Sequence, residues 1–245
     1  MAEIRTEEVT YSGGGVEMQG YLAWDDSIEG PRPGILVVHE WWGHNDYPRS
    51  RARQLAELGY TALSLDMYGD GKTADHPRDA GAFMNAVIQD MESGRARFEA
   101  AQALLKQHPT VNADKIGAIG YCFGGGVVLH MARSGADLDV AASFHGSLGL
   151  ARTDGPDQID TRVVAYNGKA DPFVTDEAKA AFRAEMESAG ADYDLIEFDG
   201  AIHGFTNPAA TENGKKFDLP LKYDLLADKA SWAHLQLVLE AAFGD

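Results

Sequence analysis

Short continuous apolar runs alternate along this chain with stretches of helical periodicity. The runs are Gly34–His39, Tyr60–Asp66, Lys115–Gly120, Val140–His145, Arg162–Tyr166 and Tyr193–Phe198. Each is bounded by Gly, Pro or Asp, which suits strands buried on both faces of a parallel sheet. Between and after them the periodicity predicts helices over Arg49–Leu58, Ala80–Ile88, Ala96–Gln107, Gly124–Ser134, Asp176–Ser188 and Leu226–Phe243. Glycines 59, 135 and 190 and Pro109 supply stop signals. Glu8–Tyr11 and Val16–Ala23, around three consecutive glycines, read as an antiparallel hairpin on a sheet edge. Strands alternating with helices imply βαβ units and a mostly parallel central sheet flanked by helices. No repeat, low-complexity tract or linker interrupts the pattern, so residues 1–245 read as one α/β domain. The span Thr206–Asp224, with Asn, Gly and two Pro, reads as a loop and a candidate lid.

Chemistry enters at Gly120-Tyr121-Cys122-Phe123-Gly124, at the end of the third run. The pattern Gly-x-Cys-x-Gly matches a nucleophile elbow with Cys in place of Ser. It carries the only cysteine of the chain. A thiol at such a strand-to-helix turn gains from the helix N-terminus, which favours the thiolate and offers N–H groups to an oxyanion. The alternative is an inert buried cysteine. Ligands in open α/β sheets meet the carboxyl ends of the strands. Asp171 follows the fifth run and His203 the sixth, 49 and then 32 residues further on. The order nucleophile, acid, His is that of the hydrolase triad: a thiolate to attack an acyl carbon, an imidazole to move protons, a carboxylate to orient it. Taken singly, Asp171 before Pro172 reads as a turn or cap residue and His203 as a loop histidine.

At this point the chain resembles the dienelactone hydrolase family of cysteine-nucleophile α/β-hydrolases, from about Gly34 to Phe243. The resemblance rests on Val37-Val38-His39-Glu40-Trp41-Trp42-Gly43, Asp66-Met67-Tyr68-Gly69, the cysteine elbow, Asp171-Pro172-Phe173-Val174 and His203-Gly204-Phe205. It implies an α/β-hydrolase fold and cleavage of a carboxylic ester or lactone through a Cys122–His203–Asp171 triad. It also implies that Glu40 contacts the resting thiol until substrate displaces it, and that the backbone N–H groups of Trp41 and Phe123 hold the oxyanion. The alternative for Glu40 is an ion pair with Arg49 or Arg51. Family members grip a substrate carboxylate with two arginines. Arg78 is the candidate for one; Asn207 stands in the place of the other, and Gly204 replaces a small polar residue after the histidine. Trp41, Trp42, Tyr68, Phe123 and Phe205 either line an apolar acyl pocket or belong to the core. Thioester cleavage by the same triad and a non-catalytic ligand-binding role are the alternative functions.

Composition narrows the partners. The net charge of −17 argues against nucleic acid and anionic membranes, and makes an anionic substrate depend on a local cationic pocket. A lone cysteine excludes an internal disulfide. Met1–Arg5 lacks the apolar core of a signal peptide, and no apolar run approaches the ~20 residues of a membrane span. The reading is a cytoplasmic monomer or homodimer acting on a small molecule, with no cofactor and no metal. The segment His39-Glu40-Trp41-Trp42-Gly43-His44 echoes a zinc-binding HExxH, but its second His comes one residue late and on a loop.

Overall fold

The computed structural model describes residues 2–151 and 158–244. Its eight strands make one mixed sheet, accompanied by seven helices. The chain divides into two compact units, Met1–Ile119 and Gly120–Asp245.

The first unit holds β1 (Ile4–Gly13), β2 (Val16–Asp25), β3 (Arg32–Val38), α1 (Asp46–Glu57), β4 (Thr61–Leu65), α2 (Pro77–Gln89), α3 (Met91–Lys106) and most of β5 (Val111–Tyr121). β1 and β2 form the antiparallel hairpin on the sheet edge, in the register Ile4↔Asp25 to Gly13↔Val16. β1 is mostly exposed and carries Arg, Thr and Glu, which suits an edge that must not recruit another strand. β2 runs antiparallel to β4, and β3 pairs with β4 in parallel. All five residues of β4 are buried, as a two-faced central strand requires.

The second unit holds α4 (Phe123–Arg133), β6 (Val140–Phe144), β7 (Arg162–Gly168), α5 (Asp176–Ser188), β8 (Tyr193–Phe198), α6 (Ala210–Phe217) and α7 (Leu225–Phe243). β6, β7 and β8 pair in parallel, with α5 between the last two in sequence. Every residue of α4 is buried, so this helix has no solvent face. Leu129 of this helix joins Ala141, Val163, Phe182 and Met186 in one core cluster.

Several expected bounds move: β1 starts at Ile4 rather than Glu8, α1 at Asp46 rather than Arg49, α2 at Pro77 rather than Ala80, and β5 at Val111 rather than Lys115. The second of the paired helices starts at Met91 rather than Ala96, because the Asp90 carboxylate accepts from Ser93 N at 3.1 Å and caps it. The span Thr206–Asp224 is not a plain loop, since α6 lies inside it. Asn213-Gly214 carries a turn signature, yet Gly214 is helical for a packing reason. A Cβ there would stand 2.3 Å from Leu221 O, so only glycine lets the returning chain cross the helix. That returning chain is stitched to the His203 loop by Lys222 N to His203 O at 3.1 Å and Asp224 N to Phe205 O at 3.0 Å. No described helix is long and apolar enough to cross a membrane.

Candidate active site

In the second unit, the carboxyl ends of three strands bring Cys122, Asp171 and His203 together. Cys122 follows β5 and stands at the N-cap position of α4 with φ 53° and ψ −114°, in a left-handed region costly for a residue with a Cβ. The turn is tight enough that a Cβ on Gly120 would lie 2.0 Å from Gly124 O. Cys122 N donates to Phe144 O at 3.0 Å, anchoring the elbow to β6. The intrahelical ladder of α4 opens with Gly126 N to Cys122 O at 3.2 Å, so Phe123 N–H stands ahead of it, at the positive end of the helix.

Asp171 sits in the turn after β7. One carboxylate oxygen accepts from Phe173 N at 2.9 Å, and the other accepts from His203 Nδ1 at 2.9 Å. Both residues are buried. The acid loop and the histidine loop are laced by Lys169 N to Phe198 O at 2.9 Å and Ala170 N to Ala201 O at 3.1 Å. With Nδ1 committed to Asp171, the other ring nitrogen serves the Cys122 thiol, its hydrogen-bond partner. Burial alone would push the imidazolium down, but the Cys122 charge and then Asp171 outweigh it and raise His203 to about 10. The imidazolium therefore depends on its two partners, Cys122 and Asp171, for its stability in the folded protein. In an NMR titration of the ring, Cys122→Ala is expected to bring that midpoint down by about one to three pH units. An unchanged midpoint would mean that Cys122 does not support the cation.

Two aromatic neighbours had no marker in the chain order. Phe173 is 56% exposed and stands edge-on to His203, with ring centroids 5.0 Å apart. Phe173 lies in the Asp171-Pro172-Phe173-Val174 segment, but its exposure and its place beside His203 are visible only in the structure. His145, after β6, is fully buried with its ring 5.2 Å from that of His203. Phe205 is fully buried between His145 and Phe198, as a core residue is. Asn207 is buried, and its side-chain oxygen accepts from Ala209 N at 2.9 Å, shaping the turn that leads to α6.

In the first unit, Glu40 follows β3 and is buried. His39 Nδ1 donates to Glu40 O at 2.6 Å, while His39 Nε2 accepts from Met67 N at 3.1 Å. Both nitrogens of that imidazole thus serve the backbone, and burial pushes its pKa down, keeping it neutral. His44 is also buried, and desolvation lowers it to about 3. Among the described residues no cluster of His, Cys, Asp and Glu is arranged to hold a metal. Asp66 organises the loop after β4: one oxygen accepts from Tyr68 N and Gly69 N at 2.8 and 2.9 Å, the other from Gly71 N at 2.9 Å. Tyr68 is buried and its hydroxyl donates to Trp41 O at 3.0 Å. Ala74 N to Trp42 O at 2.9 Å adds a second tie, so this loop fixes the peptides that follow Glu40. Trp42 is buried and Trp41 half-buried. Arg49 pairs with Glu8 at 2.7 Å. Arg78, in the first turn of α2, is 81% exposed and pairs with its neighbour Asp79 at 2.9 Å.

The sequence profile of the dienelactone hydrolase family matches residues 18–243. Protein usf of Aquifex pyrophilus is 29% identical over 205 residues, covering 81% of this chain and 86% of its own length. A carboxymethylenebutenolidase of Pseudomonas putida is 32% identical over 122 residues, 47% of this chain and 51% of that protein. Among solved structures, a dienelactone hydrolase-like promiscuous phosphotriesterase from metagenomic libraries is 33% identical with a TM-score of 0.90, covering 100% of both chains.

Proposed function

We propose a cysteinyl acyl-enzyme mechanism for this chain, which belongs to the dienelactone hydrolase family and is an ester or lactone hydrolase. The observation that carries the mechanism is the hydrogen-bonded set of Cys122, His203 and Asp171 around a strained elbow. The Cys122 thiolate attacks the acyl carbon, and the carbonyl π electrons move onto oxygen. The Phe123 N–H, at the helix N-terminus, is one donor to that oxyanion. Collapse expels the alkoxide, which takes the proton of the His203 imidazolium, and leaves a thioester on Cys122. Neutral His203 then draws a proton from water, hydroxide adds to the thioester, and the acid departs as the thiolate reforms. Asp171 holds the ring by Nδ1 and offsets its charge in both halves. By the family resemblance we assign Trp41 N–H as the other oxyanion donor, and Glu40 as the carboxylate that controls the resting thiol until substrate enters. In a lactone the expelled alkoxide stays tethered to the acyl group, so hydrolysis opens the ring without releasing a second product.

A second reading, phosphotriester cleavage, is favoured by the full-length similarity to the promiscuous phosphotriesterase. A panel of a lactone, an aryl ester, an acyl thioester and an aryl phosphotriester tests both. Oxoester and lactone turnover are expected to exceed thioester and phosphotriester turnover. Turnover confined to the thioester or the phosphotriester would displace the ester reading. Arg78 is proposed to hold a substrate carboxylate. Its pair with Asp79 is exposed and screened, so a substrate can exchange for Asp79 at small cost. Arg78→Ala is expected to raise KM about tenfold for an acidic lactone and leave a neutral one unchanged. Equal effects on both would remove Arg78 from substrate binding.

A further inference from the structure

We infer that His145 is a positioning residue for His203, acting through its ring and through Thr206; this rests on the proposed role of His203. The feature that draws attention is backbone strain. His145 has φ 41°, a left-handed value uncommon outside glycine. Its N–H still completes the sheet, donating to Tyr166 O at 2.7 Å, so the chain leaves β6 at this residue. A glycine would adopt that conformation without strain. Instead the position carries a fully buried imidazole. Strain of this kind persists where surrounding contacts determine the residue, and it clusters at functional sites.

Besides meeting the Tyr121 ring at 6.1 Å, the His145 side chain reaches the His203 loop. His145 Nε2 and Thr206 Oγ1 share a hydrogen bond of 2.7 Å. The His145 ring meets the His203 ring at 5.2 Å and 68°, and the Phe205 ring at 5.2 Å and 77°. One side chain thus contacts the catalytic imidazole directly and grips the residue three positions after it. Asp171 holds His203 by one nitrogen, which still allows the ring to swing about that bond. His145 supplies the lateral wall, and the Thr206 bond keeps wall and loop in register. Asn167 Nδ2 donates to Gly146 O at 3.3 Å, which braces the wall from β7. None of these contacts touches the reacting atoms, so the effect must appear in the geometry of proton transfer and not in substrate affinity.

The test is single-turnover acylation by an alkyl ester, whose alkoxide must take a proton from His203 to leave. It compares the wild type with Thr206→Ser, Thr206→Val, His145→Phe, His145→Gln and the Thr206→Val/His145→Phe double variant, with His203→Ala as reference. Thr206→Val and His145→Phe are each expected to slow acylation about tenfold at unchanged KM. Thr206→Ser, which keeps the hydroxyl, is expected to restore the rate. The double variant should be no slower than the slower single, because both lesions break one bond. Should His145→Phe fail to fold, His145→Gln, whose amide can donate to or accept from Thr206 Oγ1, serves as the conservative control and Thr206→Val carries the test alone. The inference is overturned if Thr206→Val acylates within twofold of wild type, or if its defect lies in KM, while His203→Ala is inactive. Normal acylation by His203→Ala would instead overturn the proposed role of His203 itself.

Discussion

Cys122→Ala is expected to lower turnover of any ester the wild type hydrolyses by about 10⁴- to 10⁶-fold, with the fold intact. The size follows from what the thiol does. In the proposed mechanism it supplies the bond-forming electron pair, splits one difficult substitution into two easier ones, and partners His203. Alanine keeps the Cβ in its left-handed turn and retains the Cys122 N to Phe144 O anchor, so the elbow survives. Cys122→Ser is the finer probe. A hydroxyl needs full general-base removal of its proton, whereas the thiol does not. The serine variant is expected to lose most activity and to accumulate acyl-enzyme where acylation still outruns deacylation. Steady-state rates on an aryl ester and a lactone, with circular dichroism as the folding control, check both variants. Full activity in Cys122→Ala would place the nucleophile elsewhere.

The largest expected loss of stability lies away from the reacting atoms. Arg133, in the last turn of α4, makes a bidentate pair with Glu185 of α5, with Nε to Oε1 at 2.8 Å and a second nitrogen to Oε2 at 3.0 Å. It also donates to Leu148 O at 2.6 Å. The two side chains are 1% and 4% exposed. Arg133→Met leaves the Glu185 carboxylate buried without its partner, and such lesions cost about 3–5 kcal/mol. For a chain of this length that is roughly a 10 °C fall in melting temperature. A buried ion pair contributes little over a well-packed apolar pair, so Arg133→Met/Glu185→Leu is expected to recover much of the loss. Thermal and denaturant unfolding of the two variants checks this. A melting temperature within about 2 °C of wild type for Arg133→Met would show that solvent reaches Glu185. The pair ties the far end of the elbow helix to the sheet-covering helix, so it supports the elbow from behind.

Legibility from the amino-acid sequence divided along physical lines. Runs such as Thr61–Leu65 and Val140–Phe144 were readable because a strand buried on both faces has to be continuously apolar. The gathering of Cys122, Asp171 and His203 was readable because strand ends project side chains to one edge, so chain order stands in for distance. α6 was hidden because Gly214 is set by a carbonyl arriving from Leu221, a contact that local propensity does not contain. The start of α3 was obscured because Asp90 both ends α2 and caps α3. His145 had no signal at all, since its meaning lies in the distance to Thr206 across 61 positions. The histidines of the HExxH echo were ambiguous for a similar reason. Only the bonds to Glu40 O and Met67 N show that His39 orders the loop beside Glu40. Arg78 shows the converse: its type suggested a carboxylate partner, and in the structure that partner is its own neighbour Asp79.

The central claim is a covalent acyl group on Cys122 during ester hydrolysis. Intact-mass spectrometry of the enzyme mixed with p-nitrophenyl acetate and quenched in acid within milliseconds reads it directly. The predicted result is one added acetyl group per chain, mapped to the peptide that contains Cys122 and absent from Cys122→Ala. Turnover with no adduct on that peptide, and with Cys122→Ala still active, would contradict the account.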